Sequence, residues 1–303
     1  MPIVEIEKVT KRFGKTTAVA DLSLAVPQGS IYGFIGPNGS GKTTTLRMIT
    51  GIFYPDGGMI RVLGEAIRGA CSDRIGYLPE ERGLYRRMKV REILRFLGEL
   101  KSGRKVDLEV DRWLKKLGLE EQAHKKIEAL SKGTSQKVQF IAAVVFQPEL
   151  VILDEPFSGL DPVNVEVMKD AILELRSQGV TVILSTHDMG IAEKMCDYIF
   201  MIFNGRKVLD GTLASIQDHY GVDTIRIRCD ANREVLEALP GVESVNDSGQ
   251  VKELRMARDC DPQGVLSALV ARSRLQSFEI VKPSLHDIFV RIAQPQNQEA
   301  NHA

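Results

Sequence analysis

The chain is expected to fold as an α/β protein on a mostly parallel sheet, and three observations predict this. The short all-apolar run Leu150–Leu153 reads as a strand covered on both faces, and Val180–Leu184 as another buried strand. Helix-patterned stretches alternate with such runs along the first two thirds of the chain. The apolar run Ile31–Ile35 leads through a glycine-rich loop into the helix-like stretch Thr43–Thr50.

The elements follow in order. Ile3–Val9 alternates apolar and polar residues, as a half-buried strand does, and Ala18–Val26 forms a second strand ended by Pro27-Gln28-Gly29. Gly57-Gly58 opens a short strand, Met59–Leu63. Residues 88–126 are mostly helical, with Val90, Ile93, Leu94 and Leu97 at helical spacing and breaks at Lys101–Lys105 and Gly118. Ser131–Phe146 is a helix capped by Ser131. Pro162–Gln178 starts with proline and stops at Gly179, and Met189–Cys196 is a short helix. Tyr198–Phe203 and Arg206–Leu209 flank Asn204-Gly205, a hairpin turn signal. A boundary is expected near Tyr220-Gly221. Beyond it, strand 224–229, helix 231–238, strands 242–247 and 250–256, helix 262–272, strand 276–281 and helix 284–292 give a βαββαβ order, a small ferredoxin-like unit of α+β type. The polar residues 293–303 read as a disordered tail.

Composition narrows the function classes. The chain has 303 residues, with 40 basic residues balancing 40 acidic ones, which gives no general argument for nucleic acid or an anionic membrane. Cys71, Cys196, Cys229 and Cys260 are far apart in sequence, so no zinc or redox pattern forms and reduced thiols are expected. The longest apolar run noted, Phe140–Phe146, is far short of a membrane span, so membrane association is expected to go through another protein.

Two motifs carry chemistry. Gly36-Pro37-Asn38-Gly39-Ser40-Gly41-Lys42-Thr43 fits the phosphate-loop pattern of nucleotide-hydrolysing proteins. Its backbone N–H groups turn toward one point, and the N-terminus of the following helix, with Thr44 in its first turn, adds partial positive charge there. Lys42 is placed to reach the outer phosphates, and the Thr43 hydroxyl to ligand Mg²⁺. The second motif, Val151-Ile152-Leu153-Asp154-Glu155, sets an acidic pair at the end of a buried strand, where parallel sheets bind ligands. Asp154 is expected to hold Mg²⁺ and Glu155 to act as general base on water.

Leu130-Ser131-Lys132-Gly133-Thr134, ahead of that acidic pair, resembles the signature of the ATP-binding-cassette (ABC) ATPases, Leu-Ser-Gly-Gly-Gln. Ser158-Gly159-Leu160-Asp161 resembles the family's D-loop, His187 its switch histidine, and Phe13 the aromatic that stacks on adenine. A core phenylalanine is the other reading of Phe13. The resemblance covers roughly residues 1–220. It implies a phosphate-loop ABC cassette, with a mostly parallel core sheet, an antiparallel β subdomain and a helical subdomain at about 81–149, followed by the accessory domain at 221–292. It also implies ATP and Mg²⁺ as ligands and a head-to-tail dimer of cassettes. In that dimer Ser131 and Gly133 complete the partner's site, and Asp161 lies at the shared nucleotide contacts.

Lys132 and Thr134 depart from the family signature, and Glu80 stands where most of the family has glutamine. Glu80 can ligand Mg²⁺ but cannot donate an amide hydrogen bond; a surface ion pair is its other reading. Residues 80–85, the lysine in the signature and Ser284–Phe289 resemble the ATPase subunits of ABC-2-type exporters, including sodium- and drug-extrusion systems. That subgroup implies an ABC-2-type permease as partner, docked on the segment from about Glu80 to Leu130. The location implied is the cytoplasm, peripheral on the inner face of the membrane through the permease. No nucleic acid is expected. The alternative is a non-transport ABC ATPase acting on DNA or the ribosome. Such proteins usually carry two cassettes, a long coiled-coil insertion or zinc modules, none of which is visible here.

Overall fold

A computed structural model describes residues 2–300, except 68–72, 82, 221–223, 248, 250 and 258–259, with 294–300 described as backbone alone. Cys71, Arg82 and Gly221, which the sequence reading singles out, lie outside the described residues. The chain divides into two compact units, Met1–Thr212 and Leu213–Ala303.

In the first unit, β1 (Pro2–Phe13), β2 (Thr16–Pro27), β4 (Gly57–Val62) and β5 (Glu65–Ala66) form an antiparallel sheet in the order β2-β1-β4-β5. The second sheet joins β3 (Ile31–Ile35), β6 (Ile75–Leu78), β7 (Leu150–Asp154), β8 (Thr181–Thr186), β9 (Tyr198–Phe203) and β10 (Arg206–Gly211) in the order β10-β9-β3-β8-β7-β6. All its pairings are parallel except the β9–β10 hairpin. Asn204 and Gly205 both have positive φ, 49° and 73°, as the tight hairpin turn requires.

Every residue of β3, β7 and β8 is buried, as expected of central parallel strands. Side chains alternate between two cores. Leu150 and Ile152 join Tyr32, Phe34 and Leu46 of α1 (Lys42–Ile49) on one face. Val151 and Leu153 join the helical layer on the other: α2 (Val90–Ser102), α3 (Asp107–Lys116), α4 (Lys132–Val144) and α5 (Pro162–Ser177). The period of two then puts Asp154 on the α1 face. α6 (Met189–Met195) connects β8 to β9. Burial pushes the Cys196 thiol up to about 12, so it stays protonated and inert.

The edge strand β6 escapes the sequence reading because Gly76 interrupts its short apolar run and Pro79 follows it. Gly76 is there because α4 passes close by: a Cβ at this position would lie 2.0 Å from the Ala143 carbonyl oxygen.

The second unit opens with α7 (Leu213–Tyr220), so the unit boundary falls before this helix and not after Tyr220. The reason is tertiary: Gln217 donates to the Pro283 carbonyl at 3.0 Å, and Asp218 pairs with Lys282 at 2.5 Å. β11 (Thr224–Cys229), α8 (Arg233–Glu237), β12 (Val242–Asp247), β13 (Lys252–Met256), α9 (Pro262–Val270) and β14 (Leu275–Val281) follow. The antiparallel strand order β12-β13-β11-β14 is the ferredoxin-like arrangement expected from βαββαβ. α10 (Leu285–Ala300) continues through most of the segment read from sequence as a disordered tail. Among the described residues no helix is long and apolar enough to cross a membrane.

Gly76→Ala is expected to destabilise the first unit by about 1–3 kcal/mol through overpacking against α4. Urea unfolding of the two proteins checks this, and an unchanged midpoint would exclude the close approach.

Candidate nucleotide site

Three neighbouring strands, in the order β3-β8-β7, end side by side. Ile35 pairs with Thr186, and Asp154 with Ser185. The residues that follow these strands therefore meet at one sheet edge: the glycine loop, Asp154-Glu155 and His187.

The loop's backbone is tightly constrained. A Cβ on Gly36 would lie 2.2 Å from the Ile202 carbonyl oxygen. Gly41 caps α1 in the left-handed region at φ 109°, where a side chain would be strained. Lys42 is buried at 6% exposure, and its Nζ donates to the carbonyls of Gly36 at 2.7 Å and Pro37 at 3.1 Å. Burial pushes its ammonium below the ordinary lysine range, opposed by the charges of Glu155, Asp154 and Glu80. The loop thus holds a lysine whose charge it only partly compensates, a setting that suits an anion.

Asp154 is fully buried, and its Oδ2 accepts from the Thr43 hydroxyl at 2.8 Å. Its Oδ1 is buried without a hydrogen-bond partner among the described residues. A hydroxyl beside an unpaired buried carboxylate oxygen is a donor set that a hard cation takes, so these residues fit Mg²⁺. Glu80 is exposed, and its charge reaches Lys42.

Glu155 adopts φ 51°, a left-handed conformation uncommon for a non-glycine residue, and its N–H donates to the Ser185 carbonyl at 3.1 Å. Glu155 Oε1 meets His187 Nδ1 at 2.9 Å. The imidazole is 63% exposed while the carboxylate is 11% exposed, so the pair bridges the interior and the open side of the site. The geometry suits a carboxylate that takes a proton from water while a histidine holds its orientation.

The other sequence candidates sit on other elements. Phe13 is 46% exposed at the end of β1, edge-on to Phe53 at 5.5 Å, with Lys11 Nζ 5.5 Å from its ring, so it is not a core residue. Ser131 caps α4, accepting from the Thr134 N–H at 3.2 Å, and its hydroxyl lies 2.9 Å from the Thr134 hydroxyl. Thr134 therefore has a local role in the cap. A Cβ on Gly133 would touch the Gly159 carbonyl oxygen at 3.4 Å, so the signature and the D-loop are packed together. Asp161 caps α5, accepting from the Asn164 N–H at 3.0 Å.

Sequence reasoning missed two residues of α4. Gln136 is 2% exposed and donates to the Pro156 carbonyl at 3.2 Å and the Glu155 carbonyl at 3.5 Å. Lys137 Nζ donates to the Leu117 carbonyl at 2.8 Å and to Asn164 Oδ1 at 2.9 Å, and Asn164 in turn bonds Asp161. Their one sequence signal is polarity on a helix face that is otherwise buried.

The glycine loop, the Thr43–Asp154 bond and the Glu155–His187 contact at the carboxyl end of one parallel sheet form a setting suited to a nucleotide-hydrolysing protein. Residues 19–158 match the family described as ABC transporter. Residues 211–293 match the one described as ATP-binding protein DrrA1-3-like, C-terminal domain. The "Uncharacterized ABC transporter ATP-binding protein YhaQ" of Bacillus subtilis is 40% identical over 95% of this chain and 97% of its own length. The "Nod factor export ATP-binding protein I" of Rhizobium sp. is 34% identical over 95% of this chain and 96% of its own. A solved "ATP binding subunit of ABC transporter" superposes with a TM-score of 0.66 at 30% identity, covering 72% of this chain and 93% of that one. The chain belongs to the ABC transporter ATP-binding proteins, whose cassettes bind ATP and are ATPases. Its DrrA-like second unit and its relatives fit the ABC-2 exporter subgroup.

Gln136→Ala removes the side-chain donor from the Pro156 carbonyl and from the Glu155 carbonyl, which keeps only the Ser158 N–H. It is expected to lower kcat by roughly ten- to a hundredfold, equivalent to about 1–3 kcal/mol, with ATP binding retained. Gln136→Glu, which cannot donate, should be equally impaired. Full activity in the glutamate variant would rule out a role for the donated hydrogen bond.

Proposed function

We propose that this protein is the ATP-hydrolysing subunit of an ABC-type exporter, working as a head-to-tail dimer on a separate permease. The observation that carries the catalytic part is the 2.9 Å Glu155–His187 contact, at the sheet edge that also holds Lys42 and the Thr43–Asp154 pair. The loop N–H groups of 36 and 38–44 cradle the phosphates, with Pro37 shaping the turn, and Lys42 turns from the Gly36 and Pro37 carbonyls to the outer phosphates. Phe13 stacks on the adenine, worth ~1–3 kcal/mol by analogy with base–aromatic stacking. Thr43 and Asp154, with Glu80 as a third candidate ligand, would hold Mg²⁺, which would supply charge neutralisation at the transferring phosphoryl group. Glu155 accepts the proton of the attacking water, and His187 fixes the carboxylate that does so. Ser131 and Gly133 at the N-terminus of α4 close the partner's site by capping its γ-phosphate, with Asp161 alongside.

The permease assignment is supported by an apolar groove of about 340 Å³ between β6, α2 and α4, lined by Tyr77, Leu84, Leu97, Leu100 and Phe146. Tyr85, Phe96 and Leu100 are exposed nearby, and such surface is typical of a face that meets another protein. The chain then sits on the cytoplasmic side, held at the membrane through that partner.

Glu155→Gln is expected to bind ATP, hydrolyse it about 10²–10⁴-fold more slowly, and accumulate as an ATP-dependent dimer on size exclusion. Wild-type turnover in this variant would remove Glu155 from the mechanism. Lys42→Ala should lose ATP binding or hydrolysis in an equilibrium binding and phosphate-release assay, and unchanged values for both would overturn the loop assignment. Co-purification with the permease encoded beside the gene, with a faster ATPase rate in the complex, tests the transport reading. Activity stimulated instead by ribosomes or nucleic acid would move the protein to the non-transport class.

A further inference from the structure

The groove between β6, α2 and α4 is lined mostly by apolar groups, and two side chains in it have polar ends without a partner among the described residues. Gln139, Ala142, Ala143 and Phe146 follow the i, i+3, i+4, i+7 spacing, so they line the groove from one face of α4 and the turn that ends it. Gln139 is 5% exposed, and neither its amide nitrogen nor its amide oxygen has a hydrogen-bond partner among the described residues. Gln136, one turn earlier on α4, is also buried but donates to two carbonyls. Buried carboxamides are ordinarily paired, because leaving water without a replacement partner costs free energy.

The second is Lys101, in the last turn of α2. Its Nζ lies 5.3 Å from the centroid of the Phe146 ring, and it makes no ion pair among the described residues. Arg91 and Arg95 of the same helix are paired, with Asp111 at 2.5 Å and Asp107 at 3.0 Å. Phe96 and Leu100, one turn apart on α2, are exposed and extend the apolar surface on that side. The groove therefore offers apolar walls, an amide that can both donate and accept, and one uncompensated positive charge.

A hydrocarbon chain would fill such walls and leave the amide unpaired. A helix laid in the groove brings apolar anchors and polar side chains on one face. We propose that the permease seats an amphipathic helix here which carries, beside its apolar anchors, a hydrogen-bonding side chain for Gln139 and a carboxylate for Lys101; this rests on the permease reading. Rotation about the side-chain bonds of Gln139 turns its amide into the groove, and the partner's polar group supplies the hydrogen bond that the free chain lacks. The charge on Lys101 meets its complement at the same contact, so the two residues select an acidic, hydrogen-bonding helix over a wholly apolar one.

The test measures equilibrium binding of the full chain to the permease encoded beside the gene, reconstituted in nanodiscs. Gln139→Met keeps the length of the side chain and removes its polar atoms. It should weaken the complex by roughly tenfold or more, while the thermal midpoint and basal ATPase rate stay at or above wild type, since the unpaired amide does not stabilise the free chain. Lys101→Glu, a change at the surface, should weaken the complex as well and remove the loss of affinity that added salt causes in the wild type. No binding by the wild-type chain overturns the permease reading and this inference with it. Wild-type binding that either variant retains at full affinity overturns the inference alone. So does a thermal midpoint that falls together with the affinity in Gln139→Met, since Gln139 would then be a packing residue. A change in the ATP-dependent dimer, with permease binding intact, would seat a second copy of the chain in the groove and overturns it too.

Discussion

A carboxylate taken fully out of water costs several kcal/mol unless partners replace its hydration, and Asp154 is such a group at the end of a central strand. The Thr43 hydroxyl satisfies one of its oxygens at 2.8 Å and thereby ties the first turn of α1 to the end of β7. For this bond to form, β3 and β7 must flank β8 in register, and the glycine loop must turn tightly enough to start α1 directly above the sheet. Gly36 makes that turn beneath a carbonyl that leaves no room for a side chain. The packing of the parallel sheet and the chemistry of its edge are thus one constraint.

The same edge holds strain and charge that a purely structural site would shed. Glu155 keeps a left-handed backbone, costing of order 1–3 kcal/mol, and is held in it by the Ser185 carbonyl on one side. Gln136 of α4 fixes the next carbonyls. Through Lys137 and Asn164 the same helix reaches Asp161, so the signature end of α4, the Glu155 segment and the D-loop are one hydrogen-bonded assembly. A shift of α4 therefore changes the position of Glu155 and of Asp161 together. That is a physical route by which events at the helical layer bear on the proposed hydrolysis.

The second unit is organised differently. One face of its sheet is an ordinary apolar core. The other carries cross-strand rows of charged and hydroxyl groups, with the helix α10 against part of it. Pairing Arg226 with Glu253 there organises the surface without an apolar contact, and leaves a polar cleft where two packed layers would otherwise exclude one.

The sequence alone determined much of this protein. Runs such as Leu150–Leu153 announced buried parallel strands because both faces must be apolar, and Asn204-Gly205 announced its hairpin because few residues accept positive φ twice in succession. The phosphate loop and the Asp154-Glu155 pair were legible because their residues are local and their spacing is fixed by one turn of backbone. Long-range packing was not legible. Gly76 looks like a strand breaker until α4 is seen lying against it, and α7 belongs with the second unit only because Gln217 and Asp218 find Pro283 and Lys282. Gln136 and Lys137 look like surface polar residues in sequence; the tertiary structure buries them and gives their donors carbonyls from other segments. Local patterns record what a residue does to its own backbone. Which distant carbonyl a buried donor must satisfy is decided only when the layers pack.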